Sequence, residues 1–238
     1  HQIGVVHERA QNYPAAERAY QESLEIEIRE KNMAGEASSL GQLGNLYNAM
    51  GRLEDALRMY ERAAGIYAQL KDARYEGFVR NNLANTLLKL RRPAEARTEL
   101  QRAIECDAQF GHAARPWTTW AILSNLETSE GNSAAATTAR QKAMSAYAAY
   151  RRDGGESQSD RFPLIEASKK AIQEGQQEAM IAYLESTLEP GDPIRYVACI
   201  RALLSLLRGQ ASAGLADDPE LYYMDAVEIG ALLPPEGG

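Results

Sequence analysis

The chain repeats itself at a spacing of 40 residues, and that period restricts its fold more than any other feature. Gly4, Gly44, Ala84 and Ser124 are equivalent and small, and each follows a branched aliphatic residue: Ile3, Leu43, Leu83 and Leu123. Further on, Ala16, Ala56, Ala96 and Ala136 recur, then Tyr20, Tyr60, Leu100 and Arg140, then Ser23, Ala63, Ala103 and Ala143. Unrelated helices drift out of phase, so a period held across four segments means one supersecondary unit used repeatedly. The second copy shows what the unit is. Leu40, Leu43, Gly44 and Tyr47 lie at helical spacing, as do Leu53, Ala56, Tyr60, Ala63 and Tyr67. Between them Gly51 can end a helix with positive φ. Gly44 and Ala56 are small where two helices would cross closely. Neither helix can bury its apolar stripe alone, so the hairpins must stack.

The spacing predicts helices at 1–10 and 13–30, with Pro14 in an opening turn, followed by repeats at about 34–70, 73–110 and 113–150. The within-repeat turn falls at Gln11, Gly51, Arg91 and Gly131. The period then breaks. Residues 151–161 are polar and glycine-rich and read as a loop. Residues 162–188 read as a helical pair broken near Gly175, a degenerate fifth unit in which Ala179, Tyr183 and Ser186 carry the second-helix spacing. The apolar run 194–207 should bury against what precedes it. Asp218-Pro219 predicts the start of a last helix reaching about Leu233. Residues 162–238 thus form the fifth unit and a capping segment, which an open solenoid end requires.

Composition narrows the function. A net charge of −7 argues against a general nucleic-acid or anionic-membrane binder, and no apolar run approaches the ~20 residues of a membrane span. Cys106 and Cys199 lack metal-ligand spacing and read as reduced core thiols of a cytoplasmic protein. No pair among His1, His7 and His112 has ligand spacing, and no phosphate loop or nucleophile elbow occurs, so neither a cofactor nor an enzyme activity is expected. His1 falls inside the first helix of the first repeat, which suggests a fragment of a larger protein.

The order apolar–small, aromatic or leucine, alanine, aromatic, alanine over residues 1–150 resembles the tetratricopeptide repeat (TPR) family. The long period is similar to the repeats of kinesin light chains, spindle-orientation adaptors and large bacterial signalling proteins. Departures from the pattern are Arg80 in the third copy, and Glu127 and Arg140 in the fourth. The resemblance implies an all-α, right-handed α-α superhelical solenoid whose first helices line a concave groove that binds protein or peptide segments. In that frame the residue after the small position faces the groove: Val5, Asn45, Asn85 and Asn125. Asparagine inside a helix costs up to about 0.7 kcal/mol against alanine, so three in register suggest a compensating use. A carboxamide both donates and accepts, matching the N–H and C=O of an extended peptide. Three of them on helices ~10 Å apart would cover about 20 Å, or roughly six extended residues. The other reading is that the amides bond neighbouring helices and fix the repeat geometry.

Gln42, Asn48, Asn81, Asn82 and Lys89 would surround this ladder in a polar groove. Arg80 would either enter the groove to meet an acidic ligand or lie beside the core. Trp120, in register with Leu40, should be core, which leaves Trp117 as a candidate aromatic anchor. Three roles follow: a peptide-binding scaffold, the sensor or autoinhibitory arm of a bacterial signalling ATPase or protease with an intramolecular partner upstream of His1, or a self-assembly module.

Overall fold

The computed structural model describes residues 2–210 and 213–233. Among them the elements are helices: α1 (Gln2–Arg9), α2 (Tyr13–Arg29), α3 (Met33–Ala49), α4 (Leu53–Leu70), α5 (Ala73–Lys89), α6 (Pro93–Asp107), α7 (Pro116–Ser129), α8 (Ser133–Arg152), α9 (Phe162–Gln173), α10 (Gln177–Ser186), α11 (Ile194–Leu207) and α12 (Tyr223–Gly230), with short 3-10 turns at Gly111–Ala114 and Ala213–Asp217. Two compact units, His1–Arg140 and Gln141–Gly238, divide within α8. In the first, each helix from α1 to α6 packs on the next, and the first helices of successive repeats, α3 with α5 and α5 with α7, also touch. Among the described residues no helix is long and apolar enough to cross a membrane.

One device closes six of the helices in this first unit, at half the sequence period. Gln11, Lys31, Gly51, Lys71, Arg91 and Gly131 all adopt positive φ. The next N–H then reaches back to a carbonyl in the last turn: Asn12 to His7 at 2.9 Å, Arg52 to Tyr47 at 2.8 Å, Asp72 to Tyr67 at 2.9 Å, Asn132 to Glu127 at 2.8 Å. This is the Schellman closure, and it serves the joints between repeats as well as the turns within them. Asn12, Asn32 and Asp72 then cap the following helix with their side chains. The joint between the third and fourth copies differs. There the 3-10 turn leads to Arg115 at φ 54°, next to Pro116, a neighbour that disfavours the right-handed helical region.

The small position explains itself in atoms. A Cβ on Gly4 would lie 2.5 Å from Cε1 of Tyr20, and one on Gly44 would lie 2.5 Å from Cε1 of Tyr60. Each ring rests on bare backbone. In the third copy Ala84 and Leu100 replace the pair, and both are fully buried. The alanines Ala16, Ala56 and Ala96 are likewise buried completely and let second helices approach.

The fourth copy departs from the pattern by a matched exchange. Between successive repeats, Glu17 accepts from the Tyr47 hydroxyl at 2.9 Å. The next equivalent pair, Leu57 and Leu87, is apolar and buried. In the third instance Arg97 meets Glu127, its Nε and Nη2 donating to the two carboxylate oxygens at 2.6 and 3.0 Å. Arg97 therefore holds buried Glu127 below the usual carboxylate range, and Asn132 adds a bond of 2.7 Å.

In the second unit, α9 and α10 pack on each other and on α11, whose Ala198, Cys199, Ile200 and Leu203 are buried with Ile165 and Leu184. The face expected for α10 is corrected: Tyr183 is 53% exposed, and the buried residue is Leu184. The predicted start of the last helix is also corrected. Asp218 caps a turn, accepting from Glu220 N–H at 2.8 Å, and α12 begins only at Tyr223. Loop 153–161 is tied to α12 through two buried carboxylates. The Tyr147 hydroxyl donates to Glu228 at 2.9 Å and accepts from the Gln158 N–H at 2.7 Å, while Arg161 pairs with Asp225 at 3.2 Å.

Candidate functional site

The face formed by α3, α5 and α7 carries most of the residues singled out from the sequence, but their surroundings differ. Asn45 is committed to the fold. Its Oδ1 accepts from the Tyr60 hydroxyl at 2.7 Å and from Asn82 Nδ2 at 3.2 Å, while its Nδ2 donates to Gln42 Oε1 at 3.3 Å. Burial pushes the Tyr60 hydroxyl up to about 12, so it remains a donor at neutral pH. Asn48 is similarly engaged: it donates to Thr86 Oγ1 at 3.0 Å and accepts from Lys89 Nζ. These bonds join α3 to α5.

Asn85 is different. It is half-buried and makes no side-chain hydrogen bond among the described residues. The reason lies in its neighbours. The two groups that satisfy Asn45, Tyr60 and Asn82, have Leu100 and Ile122 as their equivalents one repeat later. Neither can donate, so the amide stays open. Asn85 borders two clefts: one of about 460 Å³ towards Asn48 and Lys89, and one of about 430 Å³ between α5, the Gly111–Ala114 turn and α7. Asn125 is exposed on α7 and lines neither cleft.

Asn81 and Asn82 line the second cleft, with Asn81 donating to Thr119 Oγ1 at 2.7 Å. Arg80 does not enter the groove. Its Nε donates to Glu76 at 2.9 Å and its Nη1 to Glu99, on the side facing α6. Glu76, 2% exposed, also accepts from Arg102 at 3.0 Å, so Arg80 serves a half-buried charge network. Trp117 is not a surface anchor either. It is 1% exposed, whereas Trp120 is only half-buried. The register does hold: Trp117 stands where earlier copies have buried Ala37 and Gly77, whose small size hid the position's character.

Sequence reasoning missed Tyr75, Phe78, Asp107 and Arg74, which form the second cleft with Asn81 and Asn85. Tyr75 and Phe78 are 53% and 59% exposed, and Tyr75 stacks on Tyr67 with centroids 5.4 Å apart. Two large aromatics on the groove side of one helix were the available signal. Asp107 is buried, and burial pushes its carboxyl up to about 6, against a bond from Thr119 at 2.6 Å that acts the other way.

Residues 1–69 and 35–109 match the tetratricopeptide repeat family. The crystal structure of BtubC (BKLC) from P. vanneervenii is similar, with a TM-score of 0.59 and 19% identity over 88% of this chain and 80% of that one, a likeness of fold. No curated protein is a recognisable sequence relative. Tetratricopeptide repeats generally mediate protein–protein interaction. The matched residues, the 40-residue hairpin period and the glycine–tyrosine crossings identify residues 1–109 as tetratricopeptide repeats.

Proposed function

We propose that the chain is a non-catalytic scaffold that holds an extended segment of a partner protein along α3, α5 and α7, with Asn85 gripping its main chain. The observation that carries this reading is the open carboxamide of Asn85, half-buried between two clefts while its counterpart Asn45 is fully engaged. A half-buried amide with no partner gains more from a peptide N–H and C=O than a solvated one would. A segment of a larger protein containing this chain would be held in the same way.

Partners captured by the wild-type chain and identified by mass spectrometry provide the test. Asn85→Ala with Asn125→Ala is expected to lose them while the Tm stays nearly constant. Asn45→Ala is expected to lower the Tm, because it removes the acceptor of Tyr60 and Asn82. Undiminished capture by the double variant would refute the reading, as would a loss that merely follows a fall in stability.

A further inference from the structure

The cleft between α5, the Gly111–Ala114 turn and α7 is lined by two buried acceptor groups, on Asn81 and Asp107, that the fold leaves under-used. Asn81 Nδ2 donates to Thr119 Oγ1 at 2.7 Å, and Thr119 Oγ1 donates to Asp107 Oδ2 at 2.6 Å. That relay uses one end of each group. Asn81 Oδ1 is buried without a partner, and the Thr119 bond is the one hydrogen bond to the Asp107 carboxylate among the described residues. Leaving a buried acceptor unsatisfied is unfavourable, so both favour a ligand that brings donors. The wall is aromatic, with Phe78 exposed and Tyr75 braced on Tyr67.

We infer that this cleft receives the guanidinium of an arginine side chain on the bound peptide. The inference rests on the peptide-binding reading and names the side chain that the groove selects. A guanidinium is flat, carries five N–H donors in a fixed fork and stacks on aromatic faces, so it meets Asn81 Oδ1, the Asp107 carboxylate and the Phe78 ring together. A glutamate would set acceptors against acceptors. An aliphatic side chain would cover both oxygens and satisfy neither. Arg74 and Arg115 also line the cleft, but both are exposed and their charge is screened by solvent, whereas Asp107 is 5% exposed.

Burial disfavours the ionised form of Asp107 in the empty fold. A carboxyl whose folded value is raised to about 6 gives its greatest stability below the unfolded value near 3.9, and that stability falls as pH rises through 6. Asp107→Asn is therefore expected to have a Tm at pH 8 no lower than wild type, and lost binding in this variant cannot be ascribed to unfolding.

The experiment titrates Gly/Ser hexapeptides carrying one central Arg, Lys, norleucine or Glu into the isotope-labelled chain, with the Asn81 and Asn85 side-chain amides and the Phe78 backbone followed by NMR. All four peptides should move Asn85; the Arg peptide alone should strongly move Asn81 and Phe78. Its affinity should fall about tenfold or more in Asp107→Asn, the loss of a charge-assisted pair. Lys equal to Arg, Glu or norleucine moving Asn81 as strongly, or an unchanged affinity in Asp107→Asn would each overturn the arginine site. With Asn85 still responding, those results leave the groove reading in place. A failure of Asn85 to respond to any of the four peptides would sink the groove reading itself.

Discussion

Gly44→Ala should destabilise the chain, and Tyr60→Leu should largely rescue it. The added Cβ would lie 2.5, 2.7 and 2.9 Å from Cε1, Cδ1 and Cζ of Tyr60, where ordinary contact begins near 3.4 Å, so the ring must withdraw by about 1 Å. Tyr60 is 1% exposed and its hydroxyl is held at 2.7 Å from Asn45, so withdrawal disturbs both packing and that bond. Overpacking costs about 1–3 kcal/mol and a strained hydrogen bond about 1, against a gain of about 1 from alanine in a helix. The net loss is about 1–3 kcal/mol, or roughly 2–4 °C in Tm per kcal/mol for a protein of this length. Tyr60→Leu alone leaves a gap above Gly44 and should cost about 2–3 kcal/mol. The double variant recreates Ala84 over Leu100, a pair that the third repeat already buries completely. Urea denaturation of the four proteins should give a favourable coupling of at least about 1.5 kcal/mol. Additivity within about 0.5 kcal/mol would refute the account of the crossing.

The exchanged pair gives a second prediction. Arg97→Ala leaves Glu127 buried without its counter-charge and should cost about 2 kcal/mol in urea denaturation, discounted from the fully buried case because Arg97 is 39% exposed. Arg97→Leu with Glu127→Leu copies Leu57 and Leu87 and should recover most of that loss. The folded Glu127 value lies below the unfolded one, so this pair's contribution is present above the unfolded value and lost as pH falls through the folded value. The Arg97→Ala penalty should therefore shrink in acid. A third prediction concerns the helix ends. Lys31, Lys71 and Arg91 adopt φ of 55–58°, so glycine at each should raise stability by up to about 1 kcal/mol, and Gly51→Ala should lower it by a similar amount.

The sequence period made the hairpins legible, because small, aromatic and alanine positions recur with identical spacing. It hid the shorter recurrence of left-handed residues, since Lys31 and Lys71 occupy the joints between repeats where glycine would have announced a turn. It also hid Trp117, whose register partners Ala37 and Gly77 are too small to mark an apolar face, and left Arg80 open between groove and core, because its acidic partners Glu76 and Glu99 lie on two different helices. The second-cleft aromatics were missed for a related reason. Tyr75 and Phe78 lie off the repeated positions, so a pattern built on the repeat passes over them.

The asparagine ladder sets one repeated residue in two different surroundings. Asn45 and Asn85 are the same residue at the same position on successive first helices, yet among the described residues one is bonded by three side chains and the other by none. The difference was set outside the ladder, by Leu100 in place of a tyrosine and Ile122 in place of an asparagine. Removing a hydroxyl and an amide from around one carboxamide changes it from a strut between helices into a vacant pair of hydrogen-bonding sites, with no change to the amide or the helix that carries it. On the proposed reading, recognition along this face depends on the second-helix aromatic and the next repeat's amide, taken together with the asparagine. An asparagine in register is available to a ligand only where those two neighbours cannot reach it.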